Sequence, residues 1–127
     1  MTTPNSGTRL ALLVALAAFI APATATAGDP AAGKAQFDLY CFVCHGMTGK
    51  GDGPVAPTLN PPPRDFTVGE FVFDTDGDGK PGTDADLQNV ITKGALAFGG
   101  SEMMAPWPVL TPEQVADLIA YVRSLKQ

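Results

Sequence analysis

The sequence predicts a helical fold, and three observations support this prediction. Two segments begin with a capping residue followed by proline, one at Asp29-Pro30 and the other at Thr111-Pro112, and this pair is a common start of a helix. Residues 112–125 then repeat apolar side chains every three or four positions, as one face of a helix requires. Much of the chain between these segments is rich in glycine and proline and carries little strand signal.

The first 27 residues have the pattern of a cleaved secretory signal peptide. Arg9 precedes an apolar run over residues 10–21, and Ala25-Thr26-Ala27 forms a small-residue cleavage site. The alternative is an uncleaved anchor, but the run is shorter than the roughly 20 residues that a membrane-spanning helix needs. The sequence therefore predicts export to the periplasm, no membrane span after cleavage, and a single domain over residues 28–127.

The predicted mature chain is acidic. Without Arg9, seven basic residues stand against thirteen acidic ones, which gives a formal net charge of −6. Such a surface argues against nucleic acid and favours a partner protein whose docking face is basic or apolar. Two cysteines in an exported protein would ordinarily form a disulfide, but here a histidine directly follows the second cysteine.

The first predicted helix leads into Cys-x-x-Cys-His at residues 41–45, which is the attachment motif of a c-type haem. On a helical turn Cys41 and Cys44 share a face, so both can form thioethers with one porphyrin while His45 binds its iron. Phe37 lies one turn before Cys41 and is predicted to pack beneath the haem edge. The alternative for the helix before the motif is an ordinary amphipathic helix that tolerates a glycine at Gly33.

Residues 46–63 contain so many glycines and prolines that no long regular element is expected there. A loop of this length in a small domain is expected to wrap something, and a haem is a suitable candidate. One of its carbonyl groups should accept a hydrogen bond from the ring nitrogen of His45 that does not bind iron. By position we expect the carbonyl of Pro54, which would place this residue in the haem pocket.

An acidic D-x-D-x-D-G segment follows, with its carboxylates at Asp74, Asp76 and Asp78. It matches the start of a calcium-binding loop, but Ala85 occupies the twelfth position, where such loops carry glutamate. Calcium binding by these three aspartates is one interpretation, and a solvated acidic turn is the other.

A further helix is predicted to begin at Thr83 or Asp84. Thr83 and Asp86 have the spacing of a capping box, with aspartate in the place of the usual glutamate. Gly94 is a suitable end for this helix because glycine readily adopts the left-handed conformation.

The opposite face of the iron needs a second ligand, and the sequence holds no other histidine. Met103 and Met104 lie in a glycine-rich loop far along the chain, from which a thioether can approach the distal side, whereas Met47 follows His45 too closely. Two loop methionines in a protein without haem would more simply fill gaps in the core. With His45 on the iron, one of the pair is the expected ligand.

Three segments together resemble a class I, single-haem cytochrome c of bacteria: Cys41-x-x-Cys44-His45, Met104-Ala105-Pro106-Trp107 and Ala120-Tyr121-Val122-Arg123-Ser124-Leu125. The resemblance covers essentially all of the chain after residue 27. It implies an all-α fold in which the first and last helices cross around one covalently bound haem c, with long glycine- and proline-rich loops. Gly33 and Phe37 would meet Tyr121 at that crossing.

The same resemblance implies a low-spin iron bound by histidine and methionine. Met104 is the expected ligand because Ala-Pro-Trp follows it, with Met103 as the alternative, and Trp107 is expected near a haem propionate. The doubled methionine departs from the family pattern. The acidic segment is not general in the family, so calcium is not carried over from the resemblance.

These features predict an electron carrier, not an enzyme, that exchanges one electron with transient redox partner proteins as a monomer or as a subunit of a redox complex. Two strong axial ligands leave the iron no open position for a substrate. The alternatives are a haem sensor or haem subunit of a larger oxidoreductase with a displaceable methionine, and an exported thiol-disulfide oxidoreductase. A structural zinc site needs four ligands, which two cysteines and one histidine do not complete.

Overall fold

The computed structural model describes residues 1–2 and 27–127, so the predicted signal peptide lies almost entirely outside the described residues. The elements are α1 (Pro30–Tyr40), α2 (Phe42–His45), α3 (Asp84–Lys93) and α4 (Pro112–Ser124), with short 3-10 helices at Ala56–Thr58 and Ala95–Phe98. No strand occurs in the described part of the chain, which confirms the predicted all-α fold. None of the described helices is long and apolar enough to cross a membrane.

Local capping signals determine where α1 and α4 begin. The Asp29 carboxylate accepts a hydrogen bond of 2.8 Å from the backbone N–H of Ala31, and proline follows at the first helical position. At α4, Thr111 and Gln114 form the reciprocal hydrogen bonds of a capping box. α1 stops one residue before Cys41 instead of running through the motif, and α2 resumes after this residue.

The crossing of α1 and α4 holds the two ends of the domain together. An ideal Cβ atom built on Gly33 would lie 1.9 Å from the carbonyl oxygen of Asp117, so only glycine lets the two backbones approach this closely. Phe37 packs edge-on against Tyr121, with ring centroids 5.2 Å apart. The predicted crossing is thus confirmed, and the atoms nearest to Gly33 at this point belong to the backbone of Asp117 and Leu118.

The hydrophobic core lies between α1, α3 and α4. Phe37 has 0% of its surface exposed and is completely enclosed. The buried apolar side chains of this cluster are Phe37, Leu87, Ile91, Leu110, Val115, Leu118, Ile119, Tyr121 and Val122. Because α1 and α4 supply most of them, the core depends on the crossing.

A buried carboxylate attaches the acidic segment to α3. Asp86 is 1% exposed, and its two oxygens accept hydrogen bonds from the backbone N–H and hydroxyl groups of both Thr75 and Thr83. The bond from the Thr75 backbone N–H is the largest cause that holds the pKa of Asp86 well below its usual range, while burial opposes this shift. The predicted capping box at Thr83 is confirmed, and Thr75 is a second, unforeseen partner.

The acidic segment itself forms an exposed turn. Carboxylate oxygens of Asp74, Asp76 and Asp78 lie within 4.8 Å of one another, and the Asp74 carboxylate accepts hydrogen bonds from the backbone N–H groups of Gly77, Asp78 and Gly79. These hydrogen bonds account for the turn without an ion. Calcium binding by the three aspartates stays a prediction.

Replacing Asp86 with asparagine is expected to lower the melting temperature by about 5 °C or more at neutral pH, because a buried acceptor of four hydrogen bonds becomes a poorer one. The folded-state pKa is depressed, so ionised Asp86 contributes its full stability above the unfolded pKa of about 4. That contribution falls as the pH drops below this value. The difference between wild type and variant should therefore shrink on acidification, which thermal unfolding at neutral and acidic pH would measure.

Asp84→Asn is the matched control for this experiment. Asp84 lies on the same helical turn, but its side chain is 75% exposed and its ion pair is with Arg123. Such an exposed pair contributes at most about 1 kcal/mol. Equal melting temperatures for Asp86→Asn and wild type at neutral pH would contradict the anchoring role of Asp86.

Candidate functional site

A cavity of about 550 Å³ with mostly apolar walls opens beside the core. Its lining brings together residues that are far apart in the sequence. The predicted site residues among them are Phe37, Cys41, Cys44, His45, Met103, Met104 and Trp107. The volume lies within the range of pockets that hold small molecules and cofactors.

The two cysteines lie on the wall of this cavity as free thiols. Burial is the main cause that raises the pKa of Cys41 to about 12, and the neighbouring Cys44 adds to the shift. A thiol-disulfide oxidoreductase needs a cysteine with a lowered pKa, and its motif normally follows a strand. The pKa of Cys41 is shifted in the opposite direction, and the motif follows a helix, α1, instead of a strand.

His45 ends α2 and is 9% exposed. Its Nδ1 atom donates a hydrogen bond of 3.0 Å to the backbone carbonyl of Arg64. This bond fixes the tautomer in which Nε2 carries a free lone pair, the form that binds a metal. Burial lowers the pKa of His45, and the hydrogen bond to Arg64 opposes that shift.

The prediction that Pro54 supplies this carbonyl is wrong. Pro54 is exposed and is not one of the residues that line the cavity. The loop after the motif turns back beneath α2, where the N–H groups of Gly51 and Gly53 donate to the carbonyl groups of His45 and Cys44. These bonds satisfy the end of the short helix and direct Pro54 outward. Arg64, after the proline run, then passes the histidine.

Both candidate methionines reach the cavity. Met103 is 57% exposed, whereas Met104 is half-buried. The carbonyl of Met104 accepts a hydrogen bond of 3.0 Å from the N–H of Ala95, just after α3, which anchors this part of the loop. Met104 is therefore the better anchored of the two residues.

Two aromatic residues predicted near the haem also line the cavity. Phe37 contributes to the wall from α1 and is fully enclosed by the core. Trp107 packs against Tyr40, with ring centroids 5.0 Å apart. The placement of Trp107 against a propionate stays a prediction.

Comparison with known proteins agrees with this arrangement. The family model described as cytochrome c matches residues 30–126, a range that includes all four helices. The chain belongs to the cytochrome c family. Membership of this family supports haem-based electron transfer and implies a bound haem. No curated protein sequence matches this cytochrome c significantly.

A solved structure shares the fold. This cytochrome c is similar to a chain of the reducing HAO-like protein complex of Kuenenia stuttgartiensis, with 36% sequence identity and a TM-score of 0.63. The match covers 75% of the present chain and 41% of the other chain, so the present chain spans less than half of that relative's length.

The residues on the cavity wall fit the haem that the family implies. Two thiols, one imidazole with a free Nε2 atom and two thioethers converge on one apolar space. This donor set matches covalent attachment through cysteine and ligation by histidine and methionine. In the described part of the chain, one group of three His, Cys, Asp or Glu residues lies close enough together to hold a metal ion, and it consists of the three exposed aspartates of the acidic turn.

Proposed function

We propose that this chain is a periplasmic electron-transfer protein that holds one haem c through thioethers to Cys41 and Cys44. In this proposal His45 and Met104 are the axial iron ligands, and Met103 is not. The observation that carries the proposal is that the cysteines, the histidine and the methionines all line the same apolar cavity. When bound, the haem supplies a centre that gains and loses one electron.

Each group on the wall has a separate task. The two cysteines hold the cofactor at the end of α1, and the Arg64 carbonyl keeps His45 in the tautomer that binds iron. Ligands on both sides leave no open position for a substrate, which favours a carrier over a catalyst. The apolar walls exclude water and disfavour the additional positive charge of ferric iron, which raises the reduction potential of the haem. A thioether ligand raises this potential as well.

The partner proteins are expected to be redox proteins with a basic or apolar docking face. The chain as a whole carries 13 acidic against 8 basic residues. Long-range attraction would accelerate docking at low ionic strength and weaken as salt is added.

Replacement of the two methionines tests the ligand assignment. Purified ferric holoprotein should show the weak sulfur-to-iron charge-transfer band in the near-red. Met104→Ala is expected to abolish this band, because the remaining thioether, at Met103, lies on a more exposed part of the loop. Met103→Ala is the matched control and should retain it. Loss of the band in Met103→Ala alone would assign the ligand to Met103 instead.

A second candidate function is supported by the solved relative. That chain comes from a reducing HAO-like protein complex and is more than twice as long as the matched region. The second candidate is therefore that this chain is the haem subunit of a larger oxidoreductase, with a haem sensor as the other form of this alternative. In such a protein the methionine would be displaceable. Carbon monoxide binding to the reduced protein at neutral pH would favour this candidate, and no change in the visible spectrum would favour the carrier. A pyridine haemochrome spectrum without c-type haem would reject both.

A further inference from the structure

We propose that Phe66 is a positioning residue that sets the direction of the His45 imidazole plane. The inference rests on the proposed ligation of iron by His45. The ring of Phe66 lies almost parallel to the imidazole, with centroids 4.4 Å apart and an angle of 21° between the planes. This is the closest of the aromatic ring pairs in the described chain.

Phe66 and the Arg64 carbonyl hold the histidine in complementary ways. The hydrogen bond from Nδ1 to Arg64 restrains one edge of the ring, since rotation of the imidazole would carry the N–H away from the carbonyl. The Phe66 ring covers one face, so the imidazole cannot tilt toward that side without a clash. Both restraints come from the same short segment, and together they leave the ring one orientation.

The backbone around Phe66 is itself fixed. Its N–H donates a hydrogen bond of 2.7 Å to the carbonyl of Gly49, in the loop that follows the haem motif. On either side, the Asp65 carboxylate accepts hydrogen bonds from the backbone N–H and the hydroxyl of Thr67, at 2.8 and 2.6 Å. A residue held at both neighbours and at its own N–H can position another group.

Phe66 also stacks on a second aromatic ring. The second ring belongs to Phe71, with ring centroids 6.0 Å apart, and the Arg123 guanidinium lies 4.8 Å from the centre of the Phe71 ring. We call His45, Phe66, Phe71 and Arg123 the proximal stack. Arg123 belongs to α4 and pairs with Asp84, so the stack links the histidine to the C-terminal helix.

The orientation of an imidazole ligand has a spectroscopic signature. Its π electrons overlap with those iron d orbitals that lie perpendicular to the ring plane, so the plane direction sets the magnetic anisotropy of ferric iron. The g values in electron paramagnetic resonance and the spread of haem methyl shifts in NMR both report this anisotropy. A purely structural role for Phe66 would change stability without moving these signals.

The test compares Phe66→Leu with wild-type ferric holoprotein by both methods. We expect shifted g values and a changed order or spread of the haem methyl signals, with the near-red charge-transfer band retained. Phe73→Leu is the matched control, because Phe73 lines the same cavity but it is the Phe66 ring that stacks on His45. Phe66→Tyr keeps a planar ring at this position and should give signals close to those of the wild type.

Phe66→Met fills a similar volume without a planar ring and gives the same test if the leucine variant does not fold. Signals that move no further in Phe66→Leu and Phe66→Met than in Phe73→Leu would overturn the positioning role while leaving the proposed function intact. Absence of haem from the wild-type protein would overturn the proposed function and this inference together.

Discussion

Replacing Gly33 with alanine is expected to lower the free energy of unfolding by about 3 kcal/mol. The added Cβ atom would lie 1.9 Å from the carbonyl oxygen of Asp117 and 2.4 Å from its carbonyl carbon. These are backbone atoms of α4, so no flexible side chain can move aside and the two helices must separate. Chemical denaturation of the holoprotein would measure the loss.

The sign of this effect distinguishes close packing from helix propensity. Alanine is about 1 kcal/mol better than glycine inside a helix, so Gly33→Ala would stabilise α1 if the crossing were loose. Ala35→Ser changes an exposed position of the same helix and should stay within about 0.5 kcal/mol of wild type. A stabilised or unchanged Gly33→Ala protein would contradict the described helix crossing.

Replacing Phe37 with alanine is expected to remove about 4 kcal/mol of stability. Phe37 is fully enclosed, contacts Tyr121 and Phe66 edge-on and also lines the cavity. Its loss would remove apolar burial and leave a void in the core, and the surrounding helices can relax only in part. The holoprotein should unfold at a clearly lower denaturant concentration.

Leu39→Ala is the control for the Phe37 experiment. Leu39 is a large apolar residue of the same helix but is 65% exposed, so its replacement should change stability by at most about 0.5 kcal/mol. Phe37→Leu keeps most of the volume and should fall between the two. Equal losses from Phe37→Ala and Leu39→Ala would show that α1 does not bury Phe37 as described.

Helix starts could be predicted from the sequence because capping is a local interaction. The side chain of Asp29 acts on a backbone group two residues away, and those of Thr111 and Thr83 act on groups three residues away. The motif around Cys41 is local as well. For these elements neighbouring residues contain all the necessary information.

The groups that hold His45 could not be predicted in the same way. Any residue can supply a backbone carbonyl, so nothing distinguishes Arg64 from Pro54 until the path of the intervening loop is known. That path depends on hydrogen bonds from the loop to α2. Phe66 could be noticed in the sequence as an aromatic residue soon after the proline run. Its sequence position does not show that its ring packs against His45. Thr75 likewise reaches Asp86 only through the fold.

The closure of α1 on α4 has a kinetic consequence. The backbone N–H of Asp29 donates to the side chain of Asp117, a contact between residues 88 positions apart. The N-terminal part of the chain is synthesised first, so α1 cannot form this crossing until α4 has been made. Closing a loop between residues so far apart in the sequence also slows folding. Until then the core cannot close over the segment that contains Cys41, one of the two cysteines proposed to attach the haem.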